Sequence, residues 1–282
     1  MWCGNVTHRY VLYCDEAYNS QRGLRYHHYY GGLMLEERFI PVLEGCLDGV
    51  AKEQAISREV KWQNVDSKHA EAFSGFMNAF FDELAGNYFR VRVLFLDRYL
   101  KSSRREGKRT EYFKLYYHFI TRAFGWQYAP FTKGEKVYLR LFLDKLPDQG
   151  ETKETFKQFL SKIPETERFQ NVRLVIPPDG ISEIDSRKHR IAQAIDVIIG
   201  ALGFRMNDFH KAKSCGKMRG KRTRAKEKVY KVIQERLRDF GVKNIGINTG
   251  LYGNWQRLWT DPIRLWRLKP RDYSIDSRWT KK

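Results

Sequence analysis

Apolar and polar positions along the chain predict an alternation of short strands and amphipathic helices. An aromatic and β-branched run over residues 8–14 reads as a strand that stops at Asp15-Glu16 and opens into a polar loop. A second strand over 26–35 follows closely, so an antiparallel hairpin is expected, with Gly31-Gly32 marking a bulge or a close backbone approach. Residues 36–56 read as a helix interrupted near Gly45 and Gly49. Behind a Ser67 cap, Ala70, Phe73, Phe76, Met77, Phe80, Phe81 and Leu84 recur at helical spacing and form a core-facing stripe. Two further strands, over 88–96 and 137–143, end at Asp97 and Asp144, with an aromatic-rich helix over 110–124 between them. A helix over 152–163 and a strand over 172–176, broken by Pro177-Pro178, lead to a nearly all-apolar helix over 188–204. The order β-β-α-β-α-β-α-β-α, with both hairpin and crossover connections, predicts an α/β fold: a mixed sheet with helices on its faces.

Beyond residue 207 the composition changes. Residues 211–228 are basic and contain Gly, a charged helix ends near Gly241, and 254–279 are rich in Trp and Arg. The expected organisation is one domain over 1–207 with a basic, Trp/Arg-rich extension over 208–282 packed on it. The chain holds 52 Lys and Arg against 33 Asp and Glu, a net charge of +19, which implies an anionic partner. Nucleic acid is the foremost such partner, because each neutralised phosphate releases condensed counterions, and an anionic membrane surface comes second. Cys3, Cys14, Cys46 and Cys215 form no C-x-x-C pair, which argues for reduced thiols over zinc or disulfides. No apolar run approaches the ~20 residues that span a bilayer and no leader pattern is seen, so a cytoplasmic location and no membrane association are expected.

Candidate chemistry centres on carboxylates. Asp196 sits within the apolar run 191–202, where an ionised side chain needs a cation or several donors to offset its burial. An internal ion pair to Arg or Lys is the structural alternative. His189 and Gln193 share its helical face. Strand alternation puts Val11, Tyr13 and Asp15 on one face and Leu12, Cys14 and Glu16 on the other, so one of Asp15 and Glu16 can serve a given site. Asp15, Asp97 and Asp144 all fall where strands are expected to end, the region where open α/β sheets gather ligands. Two strand-end aspartates and one helical aspartate make a hard-oxygen set suited to Mg²⁺ or Mn²⁺. Glu59 could complete it, as a ligand or a proton acceptor, and Lys61 could meet a phosphate.

The strand ending in Asp15-Glu16, the Glu59-x-Lys61 piece, and Asp185-Ser186-Arg187-Lys188 leading into Gln193-x-x-Asp196 resemble the bacterial family called domain of unknown function 3800. The resemblance implies a ribonuclease H-like fold over roughly residues 9–205, with Asp15, Asp144 and Asp196 as its acids, and a mobile-element or phage-defence setting in which a protein partner is expected. Two departures stand out: Ala17-Tyr18 follows the Asp-Glu pair where the family often has Ser-Gly, and Ile195 precedes Asp196 where it usually has Ala. Lys61, Lys188, Lys213, Lys217, Arg219, Lys221, Arg222 and Arg224 are the expected nucleic-acid contacts, with Glu16, Asp97, Asp185, His189 and Gln193 as secondary site candidates. Trp255, Trp259 and Trp266, interleaved with Arg257, Arg264 and Arg267, could stack on bases, although docking of the tail onto the domain is favoured. The leading expectation is a divalent-metal-dependent nuclease or related phosphoryl-transfer enzyme acting on DNA or RNA. The alternative is a non-catalytic nucleic-acid-binding subunit of a larger effector complex.

Overall fold

The first hairpin runs further than its apolar core suggests. In the computed structural model β1 spans Thr7–Tyr18 and β2 spans Tyr26–Glu36, with Asp15 paired to Gly31, Glu16 to Tyr30 and Ala17 to Tyr29. Asp15 is therefore inside a strand and not at its end, because cross-strand pairing continues past it. The structure describes residues 7–18, 24–103, 108–131, 135–144, 151–169, 172–213 and 218–279. The remaining elements are α1 (Ile40–Glu53), α2 (Ala70–Ala85), β3 (Phe89–Asp97), β4 (Leu100–Ser102), α3 (Lys108–Arg122), β5 (Lys136–Leu143), α4 (Glu151–Ser161), β6 (Arg173–Val175), β7 (Ile181–Glu183), α5 (Arg190–Met206), α6 (Lys221–Asp239), α7 (Arg257–Thr260), β8 (Ile263–Leu268) and β9 (Tyr273–Ile275).

Three local expectations are corrected. α1 is continuous through Gly45 and Gly49, both of which face open space, so neither glycine answers to a close contact that would break the helix. α2 begins at Ala70 with His69 at its N-cap and no side-chain cap, so Ser67 is not the cap; Asp66 Oδ1 accepts the N–H groups of Lys68 (2.9 Å) and His69 (3.0 Å) in the turn that leads into it. The basic stretch after residue 211 becomes helical at Lys221, because Ala225, Val229, Ile233 and Leu237 supply a buried stripe at helical spacing.

The main sheet has the order β6-β5-β1-β2-β3-β8, with β7 also on β5. β1, β2 and β3 form an antiparallel meander, while β5 runs parallel to β1, β6 and β7 run parallel to β5, and β8 runs parallel to β3. β4 and β9 make a separate two-stranded ribbon. This is a mixed α/β sheet with helices on both faces, as the order of elements predicts, extended at one edge by β8.

Each face of the sheet has its own core. Val11, Tyr13, Leu33, Val93 and the apolar residues of α1, α2, α5 and α6 fill one. Leu12, Cys14, Tyr30, Leu94, Phe119 and Phe156, with Trp126 and Trp259, fill the other. Residues of the C-terminal segment, Val229, Ile233, Ile263 and Leu265 among them, complete the first core. Trp259 is buried and docks the tail, whereas Trp255 is 59% exposed. Gly31 and Gly32 are where helices come down onto bare backbone: a Cβ at Gly31 would lie 2.6 Å from Ile199 of α5, and one at Gly32 2.9 Å from Phe119 of α3. Among the described residues no helix is long and apolar enough to cross a membrane.

Candidate carboxylate centre

Alternation along β1 separates its two acids. Asp15 lies on the α5 side with Tyr13, and Glu16 points to α3, where the hydroxyls of Tyr112 (3.0 Å) and Tyr116 donate to its carboxylate. Burial raises the Glu16 pKa and the two tyrosines pull it back. Glu16 is thus held on the opposite face from Asp15.

Opposite Asp15, the close approach of α5 at Gly31 brings Asp196 toward β1. The helix is fixed from both ends of its first turns. Glu44 of α1 accepts the N–H groups of Arg190 (2.7 Å) and Ile191 (3.3 Å), placing a carboxylate at the positive end of α5. Gln193, fully buried, accepts from Val60 N–H (3.2 Å) and Arg190 Nη1 (3.0 Å), and its amide donates to the carbonyls of Ser186 (2.9 Å) and Arg187 (3.2 Å). Gln193 therefore fastens two loops beside the acids and does not itself face a ligand. One turn on, Asp196 Oδ2 accepts the Trp62 N–H at 2.6 Å. Gly200 makes room for this, since a Cβ there would collide with the Trp62 side chain. Asp196 is half-buried, the polar interruption in an otherwise buried helix face, and its bonded partner is a backbone amide and not a guanidinium.

Asp144 follows β5 directly, and its N–H donates to Cys14 O at 3.2 Å, which sets it next to Asp15 in the neighbouring strand. The three acids share one field. Burial raises Asp15 well above the usual carboxylate range, and the charges of Asp196, Asp144 and Glu16 push it further, against one bond from Glu16 N–H. Asp196 is pushed up to about 6 by burial; Trp62 N–H and Lys61 work against the rise, Glu59 and Asp144 with it. Burial disfavours the Lys61 ammonium, but Glu59, with Asp196 and Asp144 beyond, holds its pKa above the ordinary lysine value. Lys61 Nζ lies 3.2 Å from Glu59 Oε1, which also accepts from Ser186 Oγ at 2.8 Å. A cleft of about 280 Å³ opens here, lined by Glu59, Lys61, Asp144, Ile184, Asp185, Ser186 and Arg187. Among the described residues, no three His, Cys, Asp or Glu side chains stand close enough to hold a metal ion as they are placed.

Asp97 is buried between Arg25 (2.8 Å) and Arg267 (2.9 Å), a structural ion pair at the end of β3. Asp185 caps the turn before α5 and pairs with Arg187 (2.8 Å), which with the Arg187 N–H holds its pKa down at about 2. His189 stands 3.8 Å from Glu44. Lys188, Lys213, Lys221 and Arg224 are exposed, whereas Arg219 is bound to Glu227 and Arg222 to the Gln63 carbonyl. Lys217 lies outside the described residues, as do Cys3 and Cys215.

Sequence reasoning missed two participants. Trp62 supplies the amide that meets Asp196, and Lys226 of α6 lies with its ammonium 5.0 Å from the Trp62 ring centroid. Burial and Arg222 lower the Lys226 pKa to about 8, while Asp196 acts in the opposite direction. The i, i+4 spacing of Arg222 and Lys226 was the available signal: it puts both on the α6 face that meets residues 62–63.

Fold and site together define a mixed-sheet α/β protein in which acids from β1, α5 and the end of β5 feel one another's charge near a lysine. No family model matches the chain, and no curated protein matches it. Among solved structures it is similar to ribonuclease H2 from Pyrococcus horikoshii OT3, with 16% sequence identity, a TM-score of 0.38, and coverage of 82% of this chain and 89% of that one.

Proposed function

We propose that the protein is a divalent-metal-dependent nuclease or related phosphoryl-transfer enzyme, with Asp15, Asp144 and Asp196 as its acidic centre. The observation that carries this reading is the shared field of three carboxylates brought together from separate elements. Burial raises both Asp15 and Asp196, with the neighbouring acids adding to the rise, and Lys61, which opposes it at Asp196, is itself paired with Glu59. Hard oxygen donors of this kind fit Mg²⁺ or Mn²⁺, and the same three residues would hold the ion. A divalent cation, when bound, acidifies water and neutralises charge at a phosphodiester. Glu59, whose Oε1 accepts from Ser186 Oγ, would be a further ligand or the proton acceptor, and Lys61 would meet a phosphate oxygen. The resemblance to domain of unknown function 3800 would set this activity in mobile-element or phage-defence systems, alongside a protein partner.

The test is cleavage of labelled DNA and RNA with Mg²⁺ or Mn²⁺, comparing the wild type with Asp196→Asn and Asp15→Asn. Both substitutions are expected to reduce turnover to the no-protein background. Equal activity in all three proteins removes the assignment. A second reading, a nucleic-acid-binding subunit without turnover, draws on the spacing of the acids, none of which form a ready-made trio among the described residues. Salt-dependent binding that chelator and Asp15→Ala both leave unchanged, without cleavage, would favour it.

A further inference from the structure

A second cavity, of about 1480 Å³, lies on the α3 side of the sheet beyond the end of β3. It is bounded by α3, the turn after α4, the β4–β9 ribbon and the chain leaving β8. Its walls carry eight Lys and Arg side chains against four Asp and Glu. Two of those four acids are already neutralised, Asp97 by Arg25 and Arg267, and Asp276 by Arg278 at 2.6 Å. Arg122, Lys162 and Arg271, by contrast, are exposed and make no ion pair among the described residues. Surplus positive charge is thus gathered in one concavity.

Open aromatic faces stand among these cations. Phe159 is 39% exposed, with its ring centroid 5.5 Å from that of Tyr117, and both line the cavity. Trp279, also in the wall, has the Arg98 guanidinium 5.3 Å from its ring centroid. Cations follow a sugar-phosphate backbone, and accessible rings stack on bases that have no pairing partner. A duplex keeps its base faces inside and would use the cations alone, and so would an acidic peptide.

We propose that this cavity is a binding groove for single-stranded nucleic acid, with Arg122, Lys162 and Arg271 on phosphates and Phe159 and Tyr117 as the stacking platform. The binding does not depend on the nuclease reading; only the passage of one strand from groove to acids rests on it. Asp15 pairs with Gly31 and Gly31 with Val93, so the Asp97 end of the groove is two strands across and four residues along from Asp15. Those offsets within the sheet are roughly 10 Å and roughly 13 Å. The groove lies on the α3 face and Asp15 on the α5 face, so a nucleic-acid strand reaching both would pass around the ends of the β-strands.

The test is fluorescence anisotropy with labelled single-stranded DNA, single-stranded RNA and the matching duplex, without divalent cation, over a salt series. In the doubly substituted Arg122→Glu, Lys162→Glu protein, single-strand affinity is expected to fall at least about tenfold and the salt slope to decrease by about 1.4. Phe159→Ala, with its melting temperature measured alongside, is expected to weaken single-strand binding by about tenfold and duplex binding little. Unchanged affinity in the charge-reversed protein, or tighter wild-type binding to duplex than to single strands, overturns the proposal. Groove binding that persists while no substrate is cleaved would end the nuclease reading and leave the groove standing.

Discussion

Asp196→Asn should make the cation-free protein more stable at neutral pH while destroying its proposed function. The substitution keeps an oxygen that can accept the Trp62 N–H and removes a charge from a crowded acidic site. The fold raises the Asp196 pKa from 3.8 to about 6, so its ionised form is disfavoured in the native state. A carboxylate raised in this way contributes stability that is fully present below about 3.8, declines between there and about 6, and is absent above. The rise corresponds to about 3 kcal/mol, which partial exposure of the side chain and the lost attraction to Lys61 reduce to roughly 1–3 kcal/mol. For a chain of this size that range is a melting temperature higher by roughly 2–10 °C. Asp15 is raised in the same direction and titrates with Asp196 as a pair, so Asp15→Asn should behave alike. The assay is thermal unfolding of wild type and variant in chelator, from about pH 4 to about pH 7.5, where the difference should grow with pH. Mg²⁺ should then raise the wild-type melting temperature more than that of the variant. A variant no more stable than wild type at neutral pH, or a difference that does not change with pH, refutes the reasoning.

Asp97→Asn should leave Arg25 and Arg267 without their shared carboxylate and lower stability by about 3 kcal/mol in urea unfolding, with turnover per folded molecule unchanged. Lost turnover at full stability would instead return Asp97 to the site. Gly200→Ala places a methyl against Trp62, so about 1–3 kcal/mol of stability should be lost. Cleavage should fall further than that loss explains, because the Trp62 amide moves off Asp196; a proportionate fall would show that the Trp62–Asp196 bond does not matter to the acids.

The parts of the site that were legible in sequence are those set by short-range periodicity. A two-residue period was enough to send Asp15 and Glu16 to opposite faces, and the buried run around Asp196 marked that residue as needing compensation. Gly31-Gly32 was readable as a close approach, and the stripe of α2 as core. Strand ends were not readable from apolar runs, because β1 continues through Asp15 on the strength of its partner β2. Asp97 and Asp144 look alike in sequence, each closing an apolar strand, yet one meets two arginines and the other meets acids.

What the amino-acid order determined by itself is the inventory: an α/β alternation, a surplus of positive charge, and carboxylates at positions where burial would strain them. Tertiary structure alone decided which charges meet. It enlisted Arg219 and Arg222 in bonds within the protein, set Trp62 and Lys226 beside Asp196, and joined β8 to the sheet edge. The physical reason is one of range: side-chain direction follows from residues two to four positions away, whereas the sign of a neighbouring charge depends on segments more than a hundred residues apart being packed into contact.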